Sequence, residues 1–169
     1  MPAPRIISIP NPHSEPRREK VDLLVVHAMG EWVVLDGVYR HCTDHLRELG
    51  LSVHAFCLPD GRIVSSVDTD RVAHHARAYN PRSIGLELVV EGAHDDHSLF
   101  ARIDDTADSP YTAAQYQAAG WWFRSQADRY GLAFSHVTPH SALDDRKQDP
   151  GQAFDWDAFR RAFAAGGDR

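Results

Sequence analysis

Cysteine is scarce: Cys42 and Cys57 are the only two in 169 residues. Two thiols make no disulfide framework and their spacing makes no metal knuckle, so the fold must rest on its own core. Long apolar runs are also lacking. The longest, such as residues 23–26, fall far short of the roughly 20 residues a membrane-spanning helix needs. Residues 1–16 carry prolines and charges but no apolar stretch, so no secretory signal is expected. Positive charge is the minority, with 18 Lys and Arg against 24 Asp and Glu and a net charge of −6. That balance supplies no chain-wide basic field for phosphate backbones and disfavours nucleic acid as a partner. Repeats, low-complexity tracts and linkers are missing too. With 43% hydrophobic and 25% charged residues, what is left is a soluble single domain, expected in the cytosol.

What the sequence has in excess is histidine, eleven residues in all. Imidazole carries protons near neutral pH and is the commonest metal ligand, so position must separate function from surface decoration. Residues 1–20 read as a surface extension with an edge strand at 6–9. Residues 21–27 (VDLLVVH) form a β-branched run, expected as a strand buried on both faces that ends at His27. Leu35, Val38, Cys42, Leu46 and Leu49 recur at three- and four-residue spacing before Gly50, which predicts an amphipathic helix. Residues 51–58 and 62–67 flank Pro59-Asp60-Gly61 as a hairpin. Residues 83–90 alternate, with Ile84, Leu86, Leu88 and Val90 on one face and Ser83, Gly85, Glu87 and Val89 on the other.

Residues 92–110 hold five aspartates and two histidines without periodicity and read as a long solvated loop, a lid or specificity wall being the alternative. Thr112, with Gln115 three residues on, opens the next helix as a capping box. Tyr116, Ala119, Phe123, Ala127 and Tyr130 are its apolar stripe, and Gly131 ends it. A short strand at 133–137 and a last helix capped by Asp155 complete the pattern. The expected fold is α/β (α+β): one domain with a mixed central β-sheet and helices packed on it.

Two strand ends carry histidine, His27 and His140, and Asp149 follows nine residues after the second, backed by Pro150-Gly151. Two imidazoles and a carboxylate are a common catalytic zinc set with a fourth position left for water. Spacing alone does not separate such a site from three unrelated polar residues. His136 is not taken as a ligand, because Pro139 bars the helix that would align it with His140. His54 reads as packed and hydrogen-bonded, and His13, His41, His45, His94 and His97 as surface residues. Trp121-Trp122 reads as core packing.

Four segments in order carry a resemblance: VDLLVVH at 21–27, LSVHAFCLPDG at 51–61, AHHARAYNPRSIGLEL at 73–88 and VTPHSALDDRKQDPGQAFDW at 137–156. They resemble the zinc-dependent N-acetylmuramoyl-L-alanine amidases of the second amidase class, a group spanning muropeptide-recycling amidases, phage endolysins and peptidoglycan recognition proteins. RKxDPG followed by FDW is the most specific part. The resemblance implies Zn2+ held at the sheet rim by His27, His140 and Asp149, with Glu87 as catalytic acid/base and Lys147 stabilising the developing oxyanion. It implies His75 and Asn80 as substrate contacts and residues 21–165 as the amidase domain.

The bond implied is the amide between N-acetylmuramic acid and L-alanine, in peptidoglycan or a muropeptide. A monomer without nucleic-acid or membrane partners is expected, either recycling wall fragments in the cytosol or released to the wall as an endolysin. Ala28, Met29, Ala55 and His74 depart from the family pattern around the cleft, which keeps a non-muramyl amide open as substrate. A non-catalytic peptidoglycan-binding module is the other alternative, and the complete ligand set speaks against it.

Overall fold

The computed structural model describes residues 2–166. Its strands are β1 (Ile6–Ser8), β2 (Ser14–Pro16), β3 (Leu23–Leu35), β4 (Val38–His41), β5 (Ala55–Cys57), β6 (Ile63–Ser65), β7 (Arg71–Ala73), β8 (Ser83–His94) and β9 (Val137–Pro139). Its helices are α1 (Cys42–Glu48), α2 (Asp96–Ile103), α3 (Ala113–Tyr130) and α4 (Trp156–Ala165). Seven strands form one mixed sheet in the order β1-β6-β5-β8-β3-β4, with β9 also paired to β3. The pairs β3/β8, β5/β8, β3/β9 and β1/β6 are parallel, while β5/β6 and β3/β4 are antiparallel. Strands β2 and β7 make a separate antiparallel ribbon.

Alternation along the two central strands sorts the side chains onto two unlike faces. Leu24, Val26, Ile84, Leu86 and Leu88 point into the larger core, where they meet Phe123 of α3 and Phe159 and Phe163 of α4. Burying each such side chain contributes about 1.5–3 kcal/mol. Gly120 lets α3 and α4 cross closely, since a Cβ there would lie 2.6 Å from that of Ala162. Gln115 is fully buried, and its amide donates to the Cys57 and Val89 carbonyls at 3.1 and 2.8 Å, tying α3 to the sheet. On the opposite face a smaller cluster of Met29, Val53, Phe56, Val64 and Val89 packs with Cys42 of α1. His27 and Glu87 lie on this second face, directly paired across β3 and β8.

Four local expectations need correction. The run from Leu35 to Cys42 is not helical, because β3 continues to Leu35 and turns back into β4. Asp36 and Gly37 both have positive φ, 51° and 75°, and the Asp-Gly hairpin turn outweighs the helical spacing around it. Helix α1 starts only at Cys42, with Gly50 following it at φ 68°. For the same reason the chain does not leave the sheet at His27, which sits within β3. Residues 133–137 hold a 3₁₀ turn at Phe134–His136, and pairing begins at Val137.

Residues 92–110 are not a solvated loop. Strand β8 runs to His94, and Asp95 then opens α2 in a reciprocal cap with Ser98. Asp95 and Asp96 start that helix while Asp104 and Asp105 follow its end, so the four carboxylates do not converge on a cation. Cys42 and Cys57 are both buried free thiols, and among the described residues no helix is long and apolar enough to cross a membrane.

The amino-terminal segment is tied to the rest of the structure. Strand β1 edges the sheet beside β6, and the Arg17 guanidinium donates to the carbonyls of Pro81 (2.7 Å), Arg71 (2.6 Å) and Ser83 (3.1 Å). Arg17→Ala strips the Pro81 and Ser83 carbonyls of a charged donor and should lower the unfolding free energy by about 2–3 kcal/mol. Arg18→Ala, at an exposed neighbour, should change it by less than about 0.5 kcal/mol. Denaturant titration of both variants checks the difference.

Candidate metal centre

The site arises where the edge of β3 is left open. Strand β9 pairs β3 over Leu24–Val26 only, and β4 pairs it from Trp32 onward. Between them, the stretch beginning at His27 faces a gap, and His140, the first residue beyond β9, is delivered beside it. Asp149 is brought to the same place by the loop before α4. The Ser141 amide donates to the Asp149 carbonyl at 3.1 Å, and the Tyr111 hydroxyl donates to the Pro150 carbonyl at 2.5 Å. Gly151, at φ 81°, lies against the Ile103 carbonyl so closely that no Cβ would fit, which explains the glycine after Asp149-Pro150.

His27, His140 and Asp149 are 1%, 7% and 6% exposed, and among the described residues they are the one group able to hold a metal ion. His27 Nδ1 lies 3.0 Å from His140 Nδ1, His140 Nδ1 lies 3.0 Å from Asp149 Oδ2, and His27 Nδ1 lies 3.3 Å from the same oxygen. Zinc bonds of about 2.0–2.1 Å at tetrahedral angles set ligand atoms about 3.3 Å apart, so the donor set fits that ion. Asp149 also accepts from the Ala28 amide at 3.3 Å. Burial opposes its ionisation, but the hydrogen bonds from His140 and His27 hold its carboxyl well below the usual range. Burial lowers the pKa of His27, against the pull of Asp149, and favours the neutral imidazole that a metal requires.

Glu87 is 8% exposed, and its Oε2 is buried without a hydrogen-bond partner among the described residues. Burial and then the charge of Asp149 raise its pKa well above the ordinary value, opposed by Lys147. Lys147 lines the same cleft of about 520 Å³. His75 stands behind His27, with Nδ1 2.8 Å from His27 Nε2 and Nε2 3.1 Å from Ser83 Oγ. Asn80 lines the cleft and spends its side-chain oxygen on the His75 and Ala76 amides, at 3.0 and 2.6 Å.

The cleft walls differ in chemistry. Leu46, Leu49 and Leu51 form an apolar side, and Arg77 and Arg146 a cationic one. Asp144, with a side chain 8% exposed, pairs Arg146 at 2.8 and 2.7 Å and Arg77 at 3.3 Å. Leu99 and Phe100 of α2 make a third wall. Sequence reasoning held a specificity wall only as the alternative to a solvated loop and missed the helix that builds it, although Asp95 with Ser98 three residues on was a legible capping signal. It also missed His45 and His94, read as surface residues but part-buried along the cleft. His136 bonds locally to Ala133 and takes no part in the centre.

Solved structures sharing this fold include amidases and endolysins. A crystal structure of a selenomethionine AmpD derivative matches with a TM-score of 0.69 and 28% identity, over 96% of this chain and 95% of that one. The N-acetylmuramoyl-L-alanine amidase LysC from Clostridium intestinale shares the fold at a TM-score of 0.67 and 16% identity, over 95% of this chain and 98% of that one. Residues 17–152 match the family model described as N-acetylmuramoyl-L-alanine amidase. The 1,6-anhydro-N-acetylmuramyl-L-alanine amidase AmpD of Salmonella typhimurium is 32% identical over 175 residues, 92% of this chain and 89% of the relative. The chain therefore belongs to the N-acetylmuramoyl-L-alanine amidase family, and the bond it hydrolyses is the one that name specifies.

His54 tests the polar interior beside this centre. It is 1% exposed, its Nδ1 accepts from the Gly85 amide at 3.1 Å, and its Nε2–H donates to the Arg71 carbonyl at 3.0 Å. Burial pushes its pKa down to about 3, so the unfolded chain, with a value near 6.5, binds the proton first. The stability His54 supports is present at neutral pH and declines below about pH 6.5 by about 1.4 kcal/mol per pH unit. Denaturant unfolding between about pH 7 and about pH 5 should show a flatter slope in His54→Asn, by about one proton.

Proposed function

We propose that this amidase is zinc-dependent and acts on soluble muropeptides, with His27, His140 and Asp149 holding the ion. The observation that carries the reading is the convergence of three buried donor atoms at 3.0–3.3 Å beside a buried carboxylate paired to His27 across the sheet. Zinc bound there would supply a Lewis acid and a water of lowered pKa. Glu87 takes the proton of the attacking water through its unpartnered Oε2. The water oxygen bonds to the lactyl carbonyl carbon, and the carbon–nitrogen bond then breaks. Burial favours the protonated Glu87, which returns the proton to the departing amine of L-alanine. The Lys147 ammonium offsets negative charge on the carbonyl oxygen as the tetrahedral intermediate forms.

The AmpD relative named for 1,6-anhydro-N-acetylmuramyl-L-alanine aligns with 92% of this chain, which supports an anhydromuropeptide as substrate. Residues 21–165 carry the chemistry, residues 1–20 are a docked extension, and the enzyme works as a cytosolic monomer. Mass spectrometry of a 1,6-anhydromuramyl tripeptide incubated with zinc-loaded protein should show free tripeptide. Chelation should stop release and zinc should restore it. Glu87→Gln should slow release by about 10²- to 10⁴-fold while keeping its zinc. Release that survives complete chelation overturns the metal reading. A zinc-replete protein that releases nothing from the tripeptide but cleaves intact wall overturns the substrate.

A further inference from the structure

His75 sits where a substrate contact would be expected, yet both of its ring nitrogens are turned inward. Nδ1 lies 2.8 Å from His27 Nε2 and Nε2 lies 3.1 Å from Ser83 Oγ. The two imidazoles meet edge to face, with centroids 5.0 Å apart and planes at 79°. Sheet chemistry has made room for this pairing. A Cβ on Gly85 would fall 2.5 Å from His75 Nδ1 and 3.1 Å from His27 Nε2, so only glycine at that point of β8 admits the ring. Asn80 closes the arrangement from the other side by holding the His75 and Ala76 amides.

Hydrogen placement follows from the donor set. His27 Nδ1 lies 3.0 Å from His140 Nδ1 and 3.3 Å from Asp149 Oδ2, so it is the ring nitrogen turned toward the other two donors. A metal held there would take the Nδ1 lone pair and leave the ring proton on Nε2. In that state His27 Nε2–H donates to His75 Nδ1, 2.8 Å away. His75 in turn carries its proton on Nε2 and gives it to Ser83 Oγ.

We infer that His75 is a positioning residue that orients His27 and holds it in the tautomer whose Nδ1 faces His140 and Asp149. The inference rests on the metal reading above, and the His27 tautomer of the metal-free chain is a separate readout of it. Partners on the second nitrogen of a metal-binding histidine typically govern affinity by 10- to 100-fold.

Zinc affinity, measured by competition with a chromophoric chelator, should weaken about 10- to 100-fold in His75→Ala. Gly85→Ala should weaken it similarly, because the added methyl displaces the ring. His75→Asn, whose Oδ1 takes the place of Nδ1, should recover affinity to within about threefold of the parent. Nitrogen-15 NMR of the metal-free protein should show His27 protonated on Nε2 in the parent and a tautomer mixture in His75→Ala. Unchanged zinc affinity with a raised KM alone would return His75 to substrate contact and overturn the inference. Equal weakening in the Ala and Asn variants, with the His27 tautomer unaltered, would reduce His75 to a space filler and overturn it too. A parent that binds no zinc sinks the metal reading instead, and the NMR result then decides the role of His75 by itself.

Discussion

The pairing of β3 with β8 in parallel register is the constraint on which the rest depends. It runs unbroken from Leu23 opposite Ser83 to Gly30 opposite Val90, and it sets His27 beside Glu87. Because side chains alternate, the same register sends Leu24, Val26, Ile84 and Leu86 into the helix-covered core. A slip of one residue would put Glu87 among those apolar groups and expose leucines on the other face. Hydrophobic burial thus enforces the geometry of the polar site through the backbone, without any direct contact between the two.

A buried polar centre needs every group accounted for, since an unpaired donor or acceptor in a low dielectric costs a large part of a small protein's stability. Here neutral imidazoles do most of that work. His27, His75 and Ser83 form one chain of donors and acceptors, while His54 joins the Gly85 amide to the Arg71 carbonyl. Arg17 gathers the carbonyls at the far end of this network, so a residue from the amino-terminal segment helps to hold the platform on which the ligands stand. The Glu87 oxygen left without a partner is an exception in that network.

Around this centre the cleft is unlike on its sides. The leucines at the C-terminal end of α1 give one side an apolar surface, and Arg77 and Arg146, steadied by Asp144, give another a cationic one. Helix α2 supplies Leu99 and Phe100. Of the departures from the family pattern, Ala55 is buried in the sheet away from the cleft, while Ala28 and Met29, also buried, line it. His74 lines the cleft too and pairs with Glu15 at 2.9 Å.

Much of this was legible in the chain. Alternation along residues 83–90 put Glu87 on the correct face, Thr112 with Gln115 marked the start of α3, and the RKxDPG run with its following FDW identified the family. These are local signals, or motifs whose residues lie close together. The hairpin at Asp36-Gly37 and the helix at Asp96–Ile103 were written in turn and cap residues that a count of apolar spacing overlooked. What sequence by itself determined was the period of each central strand and the caps of α3 and α4, and it named the three side chains that the fold gathers as a candidate donor set. Only the tertiary structure decided that His27 and His140, 113 residues apart, face each other at 3.0 Å, and that His75 turns both nitrogens inward. Those outcomes depend on where β9 stops along β3 and on the space above Gly85, distances set by packing between elements that no local pattern encodes.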